Sequence, residues 1–240
     1  MTTVAPDHTQ ELAVEVVRSV PRLSDDELAE ISASFETAPA TTVIRWAAQQ
    51  FGDRLCLTTS MTDAVLIDLA HKVDPGVEVV FVDTGYHFPE TMETLHRVVG
   101  HYDLNIHVAR PDGFRELDDL WMDDPDGCCA VRKVAPMERA LATKAAWMSG
   151  LRRAESETRR HSPIVGRDRR GLVKVNPLAT WTDDDIEGYI ADNGIIVNPL
   201  VAQGFTSIGC WPCTRPVQPG EDKRAGRWTG FAKTECGLHD

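Results

Sequence analysis

No apolar run in the sequence approaches the roughly 20 residues that a membrane-crossing helix needs, so no stretch of it reads as a transmembrane span. The opening residues, MTTVAPDHTQELAVEVV, lack a basic stretch followed by an apolar core. No secretory leader is expected there, and the cytosol is the expected compartment. A positive surplus is missing too: the formal net charge is -12, which works against nonspecific adhesion to nucleic acid or to an acidic membrane. Internal repeats and low-complexity tracts are absent. What remains is an ordinary soluble-domain composition over 240 residues, enough for one α/β domain with a sizeable core plus a small appendage.

Cysteine, by contrast, is not scarce. Six are present, Cys56, Cys128, Cys129, Cys210, Cys213 and Cys236. In a reducing compartment that supply points to metal or catalysis rather than to a disulfide framework.

Residues 1–23 show little periodicity and are expected to be weakly structured. In SDDELAEISASFE, Ser24 followed three residues on by Glu27 forms a capping box. TTVIRWAAQQFG reads as a second helix closed by Gly52. An alternation follows. RLCLTTS, VEVVFVDTG, LNIHVARP and KAAWMSG read as strands, and DAVLIDLAHKV, FPETMETLHRVVGHY and GCCAVRKVAPMERALA as the helices between them. Strands alternating with helices predict βαβ units and a parallel sheet. PIVGRDRRGLVKVNPL has strand-like pieces around turn residues, and TDDDIEGYIADNG is a capped helix ending at Gly194. From Gly209 onward Pro, Gly and charge dominate without an apolar period. Residues 1–208 are thus expected to form the α/β body, and residues 209–240 an irregular arm laid on it.

Several stretches carry chemistry. TTSMTDA lies at a strand's carboxyl end, where open α/β sheets bind ligands, with Ser60 and Thr62 beside the N–H groups of the next helix. On this stretch alone an ordinary βα turn, with Thr and Asp capping the helix, is the favoured reading. Asp83-Thr84-Gly85 ends the next strand, a weak signal by itself. Residues 152–170 hold seven arginines against three acids, a local surplus of four positive charges in an acidic chain. Arginine forks suit phosphate and sulfate oxygens. A solvated basic face is the plainer alternative, and the position of MSGLRR directly after a strand tips the balance toward an anion site.

Cys128-Cys129 and the pair Cys210/Cys213 in GCWPC suggest a four-thiolate metal site. Zinc normally takes pairs separated by two or more residues, whereas an iron–sulfur cubane offers separate irons that adjacent cysteines can reach. The cluster ranks first, zinc second and a redox dithiol at Cys210/Cys213 third, beside the plain alternative of inert buried thiols. Lys133, four residues after Cys129, shares its helical face. Cys56, inside an apolar strand, reads as core. Cys236, four residues before the last residue of TECGLHD, stands alone. A chain end frays and is a poor place for a structural thiol. Cationic neighbours lower a thiol's pKa, and a mobile arm lets a nucleophile enter a site, react and swing out to a partner.

Taken together, DTGYHFPET, CCAVRKVAP, GLRRAES, KVNPL, IGCWPCTRP, RAGRW and ECGLH resemble the assimilatory APS/PAPS reductase family, specifically its iron–sulfur branch, the thioredoxin-dependent adenylyl-sulfate reductases. The resemblance runs from about residue 40 to the end. It implies a Rossmann-like, mostly parallel sheet flanked by helices, of the adenine nucleotide alpha hydrolase-like kind, and one [4Fe-4S] cluster on Cys128, Cys129, Cys210 and Cys213. It implies reduction of adenosine 5′-phosphosulfate to sulfite and AMP, in sulfate assimilation and cysteine biosynthesis. Cys236 is then the nucleophile and passes through an S-sulfocysteine intermediate that thioredoxin resolves. Ser60, Thr62, Asp63, Thr84, Lys133, Gly150 and Arg159 or Arg160 are implied to bind the nucleotide and its phosphosulfate, joined from the arm by Arg224, Arg227 and His239. Self-association into a homo-oligomer is left open. The loop TSMTDA departs from the glycine-rich SGGxDS-type loop of the wider superfamily, which argues against ATP pyrophosphatase chemistry.

Overall fold

The structure is a computed structural model, and it describes residues 22–113, 118–231, 233 and 235–238. Most of the N-terminal stretch expected to be weakly structured lies outside the described residues, as does His239.

Six strands form one sheet in the order β3-β2-β1-β4-β6-β5. They are β1 (Leu55–Thr59), β2 (Glu78–Val82), β3 (Ile106–Ala109), β4 (Ala146–Ser149), β5 (Val165–Arg167) and β6 (Val173–Val175). All neighbouring pairs are parallel except β5 with β6, which form an antiparallel hairpin. The central strands β1 and β4 begin with apolar residues, because helices cover both faces of the sheet, and end in the hydroxyl residues Thr58, Thr59 and Ser149. Leu57, Val80, Trp147 and Met148 are all fully buried.

The helices start and stop where local chemistry directs. α1 (Asp25–Ser34) opens with the expected capping box of Ser24 and Glu27, and its Ser32 hydroxyl accepts N–H bonds from Ile164 and Val165, tying it to β5. α2 (Ala40–Phe51) ends at Gly52, whose φ of +49° a side chain rarely adopts. α3 (Val65–His71) is buried on nearly every face. α4 (Pro89–Tyr102) begins on Pro89, where the missing N–H costs nothing. Between β3 and β4 lie α5 (Leu120–Asp123), α6 (Pro125–Cys129) and α7 (Ala135–Leu141), and α8 (Asp183–Asn193) closes at left-handed Gly194.

One helix differs from the expectation. Between α6 and α7, Ala130–Val134 forms a π turn, in which the Ala135 N–H donates to the Ala130 carbonyl five residues back. Pro136 gives the reason: it offers no N–H, and its ring would strike the carbonyl four residues earlier in a regular helix. Widening one turn relieves both problems.

The chain runs outward from β1 through β2 to β3, then returns to the other side of β1 for β4. The crevice at the carboxyl ends of β1 and β4 is therefore the topological switch point, where open α/β sheets bind their ligands.

Candidate active site

A cavity of about 270 Å³ opens at that crevice. Thr58, Thr59, Ser60 and Thr62 come to it from the end of β1, Thr84 and His87 from β2, and Ser149 and Gly150 from β4. The C-terminal segment closes it with Arg224, Arg227, Glu235 and Cys236. Sequence positions more than 170 residues apart thus meet at one point because the sheet delivers one end and the arm the other.

Nine expected substrate residues line this cavity: Ser60, Thr62, Asp63, Thr84, Lys133, Gly150, Arg159, Arg224 and Arg227. Arg160 does not. Its side chain is 63 % exposed and pairs with Glu157 at 2.9 Å, because the 3-10 turn Glu157–Arg159 sends Arg159 inward and leaves its neighbour in solvent. Arg152, Glu155, Ser207, Lys223 and Glu235 also line the cavity; Arg152 belongs to the arginine-rich stretch read as an anion site, whereas Ser207 and Lys223 carry no such signal in the sequence. For Glu235 a signal existed, its place beside Cys236 in ECGLH.

The loop after β1 makes its turn without glycine. Met61 sits at φ +59°, a left-handed conformation that costs a non-glycine residue roughly 1–2 kcal/mol. Full burial of its side chain and the hydrogen bond from its N–H to the Thr59 hydroxyl, 3.1 Å, hold it there. Asp63 accepts from the Val65 N–H at 3.0 Å, a turn just ahead of α3. Burial pushes its carboxyl up, against the Val65 hydrogen bond and the charge of Arg152.

Cations dominate the wall. Lys133, only 8 % exposed, has no hydrogen-bond partner among the described residues. Burial disfavours its charge, but the charges of the Cys210, Cys236 and Cys129 thiols outweigh that and hold its pKa above the ordinary lysine value. Arg227 has a buried Nε without a partner, while its Nη1 donates to the Ser207 hydroxyl at 3.2 Å. Its guanidinium stacks on the buried Trp228 ring, 4.4 Å from the centroid. Gly209 makes room for it, since a Cβ there would overlap the Arg227 guanidinium. Arg224 is crowded, and burial together with the charge of Arg159 pushes its pKa down.

A second, much smaller pocket lies on the other side of Lys133. Cys128, Cys129, Cys210 and Cys213 all line it, together with Tyr86, Arg132, Lys133 and Trp228. The π turn follows directly on the first cysteine pair and carries Lys133, which borders both pockets. The thiols sense one another: burial, then the charges of Cys129, Cys210 and Cys213, push Cys128 up to about 12. Burial and Cys210 likewise push Cys213 up. Thr84 Oγ1 lies 3.3 Å from Cys210 Sγ. Arg132 covers the Tyr86 ring at 4.6 Å, donates to the Thr84 carbonyl and pairs with Asp118 at 2.6 Å. Among the described residues no three or more His, Cys, Asp or Glu side chains are grouped tightly enough to hold a single metal ion. The donor set is nevertheless four thiols around one pocket with a cationic rim, and four thiolates disposed around a shared space fit a multi-iron cluster. Cys56 behaves as the core residue expected: it is fully buried in β1, and burial pushes its thiol up to about 12.

Fold and site together define an α/β protein of the adenine nucleotide alpha hydrolase-like kind, with a thiol and a set of buried cations at the mouth of its sheet. The sequence model described as phosphoadenosine phosphosulfate reductase domain matches residues 54–216, and the chain belongs to that family of reductases. It is 51 % identical over 211 residues to the adenosine 5′-phosphosulfate reductase of Streptomyces coelicolor, covering 85 % of this chain and 89 % of that one. It is 45 % identical over 227 residues to the protein of the same name from Mycolicibacterium smegmatis, covering 90 % and 96 %. Among solved structures, the phosphoadenylyl-sulfate reductase of Candida auris in its phosphate complex superposes with a TM-score of 0.73 at 28 % identity, over 82 % of this chain and all of that one. The FMN adenylyltransferase of Candida glabrata shares the fold at a TM-score of 0.55 and 12 % identity. No helix among the described residues is long and apolar enough to cross a membrane.

Proposed function

We propose that this protein reduces adenosine 5′-phosphosulfate to sulfite and AMP with electrons from a thioredoxin-type dithiol, in the cytoplasm, as a step of sulfate assimilation that feeds cysteine biosynthesis. The observation that carries this reading is the meeting of Cys236 with Lys133, Arg224 and Arg227 in the one cavity at the switch point. The names borne by the two relatives described above support the substrate.

In this reading the nucleotide lies across the carboxyl ends of β1 and β4, with the Ser60–Asp63 loop and Gly150 against it. Its phosphosulfate points toward the cations. An anionic thiolate attacking an anionic sulfuryl group is opposed by charge unless cations flank both, and the cationic wall supplies them. The Cys236 thiolate forms a bond to the sulfur as the sulfur–oxygen bond to AMP breaks, and AMP leaves with the electron pair. Little general-acid help is needed, because the phosphate oxygen is a competent leaving group. The product is S-sulfocysteine at Cys236, a covalent intermediate that divides the reduction into two steps. A thiolate of the reductant then attacks Cys236 Sγ and releases sulfite. The reductant's second thiol resolves the mixed disulfide, so the two electrons come from the dithiol and Cys236 returns as thiolate. Residues 209–240 act as the arm that presents Cys236 first to substrate and then to the reductant.

Cys128, Cys129, Cys210 and Cys213 would hold a [4Fe-4S] cluster, whose charge would tune the field around the bound sulfate. Lys133 borders both pockets and would stand between such a cluster and the substrate.

The test is anaerobic purification followed by sulfite release from adenosine 5′-phosphosulfate and from its 3′-phosphorylated form, with reduced thioredoxin, beside the visible spectrum. Preference for the unphosphorylated substrate by a brown protein is expected, with colour lost in Cys210→Ser. A colourless protein that prefers the 3′-phosphorylated substrate would refute the reading.

A further inference from the structure

The four residues Val-Asn-Pro-Leu occur twice, at 175–178 and at 197–200, too short to make a structural repeat. Both asparagines are buried, Asn176 at 2 % exposure and Asn198 at 0 %. A buried amide is costly unless its donor and its acceptor are met. Each of these two is met in part by one of the loops that frame the cavity, although neither asparagine lines it.

Asn198 serves the loop after β1. Its backbone N–H donates to the Thr62 carbonyl at 3.0 Å, and its neighbour Val197 forms an antiparallel bridge with Asp63. Its side-chain Nδ2 donates to the Met61 carbonyl at 3.1 Å and to the Thr91 hydroxyl of α4 at 3.0 Å. Its Oδ1 accepts from the Leu200 N–H at 3.1 Å. The amide therefore grips the loop at Met61, the residue in the left-handed conformation.

Asn176 serves the loop after β4. Its Oδ1 accepts from the Ser149 hydroxyl at 2.7 Å, and Ser149 Oγ in turn accepts from the Leu151 N–H at 3.4 Å, which turns the chain at Gly150. Its Nδ2 donates to the Pro163 carbonyl at 2.8 Å, and its backbone N–H to the Ile164 carbonyl at 2.7 Å. The partners fix which way both amides face, because a carbonyl only accepts and a backbone N–H only donates.

We propose that Asn176 and Asn198 are a matched pair of positioning residues. Asn198 holds the Ser60–Asp63 loop through its donor, Asn176 holds the Ser149–Leu151 turn through its acceptor, and together they set the spacing of the two walls between which the nucleotide lies. The proposal rests on the reading that the nucleotide lies across the carboxyl ends of β1 and β4. Because the two clamps have opposite polarity, one substitution acts differently at the two sites. Aspartate keeps an acceptor and loses the donor. It preserves the Ser149 contact, and it breaks the Met61 contact by setting a carboxylate against a carbonyl.

The test measures dissociation constants for AMP on the anaerobic full-length holoprotein by calorimetry, with urea midpoints alongside. Asn198→Asp weakens AMP binding about tenfold, the size of one buried hydrogen bond broken on one side. Asn176→Asp leaves AMP binding unchanged, although both variants lower the midpoint, since each leaves a buried carbonyl without its donor. Asn176→Ala, which loses the acceptor as well, weakens binding about as much as Asn198→Asp. Thr91→Val unpairs the other hydrogen of the Asn198 amide, on α4 rather than on the loop, so it lowers the midpoint and leaves AMP affinity unchanged. A role confined to stability would instead move affinity and midpoint together in all four variants. Hydrogen exchange without nucleotide reads the loops themselves: Asn198→Asp speeds it over Ser60–Ala64, Asn176→Ala speeds it over Ser149–Leu151, and Asn176→Asp speeds neither. Serine, too short to reach the loop partner, replaces Asn198→Asp or Asn176→Ala if either fails to fold. Equal losses of affinity in Asn176→Asp and Asn198→Asp would overturn the proposal, as would wild-type affinity and exchange in Asn198→Asp and Asn176→Ala. If the wild type binds no AMP, the exchange pattern decides alone: the crossover between the two aspartate variants means that the clamps stand and the nucleotide reading fails, and its absence overturns both.

Discussion

Between Leu55 and Ser149 the sheet is held by carbon. Strands β1 and β4 pair through parallel ladders, and their side chains vanish into apolar layers on both faces. Among the described residues between Gly209 and Leu238 there is no helix longer than a single 3-10 turn at Trp211–Cys213, and only isolated bridges link them to anything in register. This segment is held by charge. Glu235 sits on Arg159 and Arg224, Lys233 on Asp126, and Arg215 on Glu221. Arg224, Arg227 and Lys233 all lie over the ring of buried Trp228. Apolar burial is cooperative and hard to reverse locally. Ion pairs and cation–π contacts can be exchanged one by one. A body that stays fixed and an arm whose contacts can be traded for those of a substrate or a reductant suit a reaction in which one thiol must meet two partners in turn.

That contrast can be broken by experiment. The largest effect expected is in the body: Leu57→Ala, at a fully buried site, costs about 2–5 kcal/mol of unfolding free energy. Lys233→Ala removes one ion pair to the exposed Asp126 and one contact with the Trp228 ring, so it costs less than Leu57→Ala yet speeds labelling of Cys236 by iodoacetamide. Urea denaturation of the two variants checks the pair, and equal losses would mean that the arm is part of the cooperative core. Next in size is the cavity. Gly209→Ala forces the Arg227 guanidinium aside while leaving the backbone in place, so nucleotide affinity falls about tenfold, the size of one charge-assisted contact, with an unchanged urea midpoint. Arg227→Ala matches it. An unchanged dissociation constant in both would remove Arg227 from the substrate's contacts.

The smallest effect is in pH. Burial pushes the Glu235 carboxyl up, but hydrogen bonds and charge from Arg159, with the charge of Arg224 and a hydrogen bond from Thr158, outweigh it and hold the group below its ordinary value of 4.5. A carboxyl lowered by folding contributes stability that is complete above its ordinary value and is lost as pH falls through the folded one. Protection of Cys236 in wild type over Glu235→Gln is therefore full at neutral pH and shrinks below pH 4.5. A thiol reagent that reacts in acid, such as dithiodipyridine, reads it. A difference that persists undiminished in acid would show that Glu235 docks the arm by shape rather than by charge.

Much of the body was legible. The alternating strands and helices, the capping boxes at Ser24 and Thr182 and the Gly52 and Gly194 stops follow from local rules that the tertiary structure does not contradict. The π turn was not legible from periodicity, although Pro136 foreshadows it. Asp168 is one of the three acids set against the seven arginines of residues 152–170, and its side chain is fully buried and accepts from the Trp147 indole and from the N–H groups of Arg170 and Leu172, pinning the β5–β6 turn to β4. Nothing local distinguishes such an acid from a solvated one, because its partners come from other strands. The cysteine pairs and Cys236 stood out by residue type alone. The choice between Arg159 and Arg160 did not, since a 3-10 turn decides it, and the partner of Arg159 lies 76 residues away.

The central claim is that Cys236 is the nucleophile, and one measurement addresses it most directly. The anaerobic protein is mixed with adenosine 5′-phosphosulfate in the absence of any reductant, quenched and digested, and every cysteine-containing peptide is weighed. The account predicts one added SO₃ on the Cys236 peptide, equimolar AMP in solution, no adduct in Cys236→Ser and release of sulfite when thioredoxin is added. An adduct on another cysteine, or AMP release by Cys236→Ser at the wild-type rate, would contradict it.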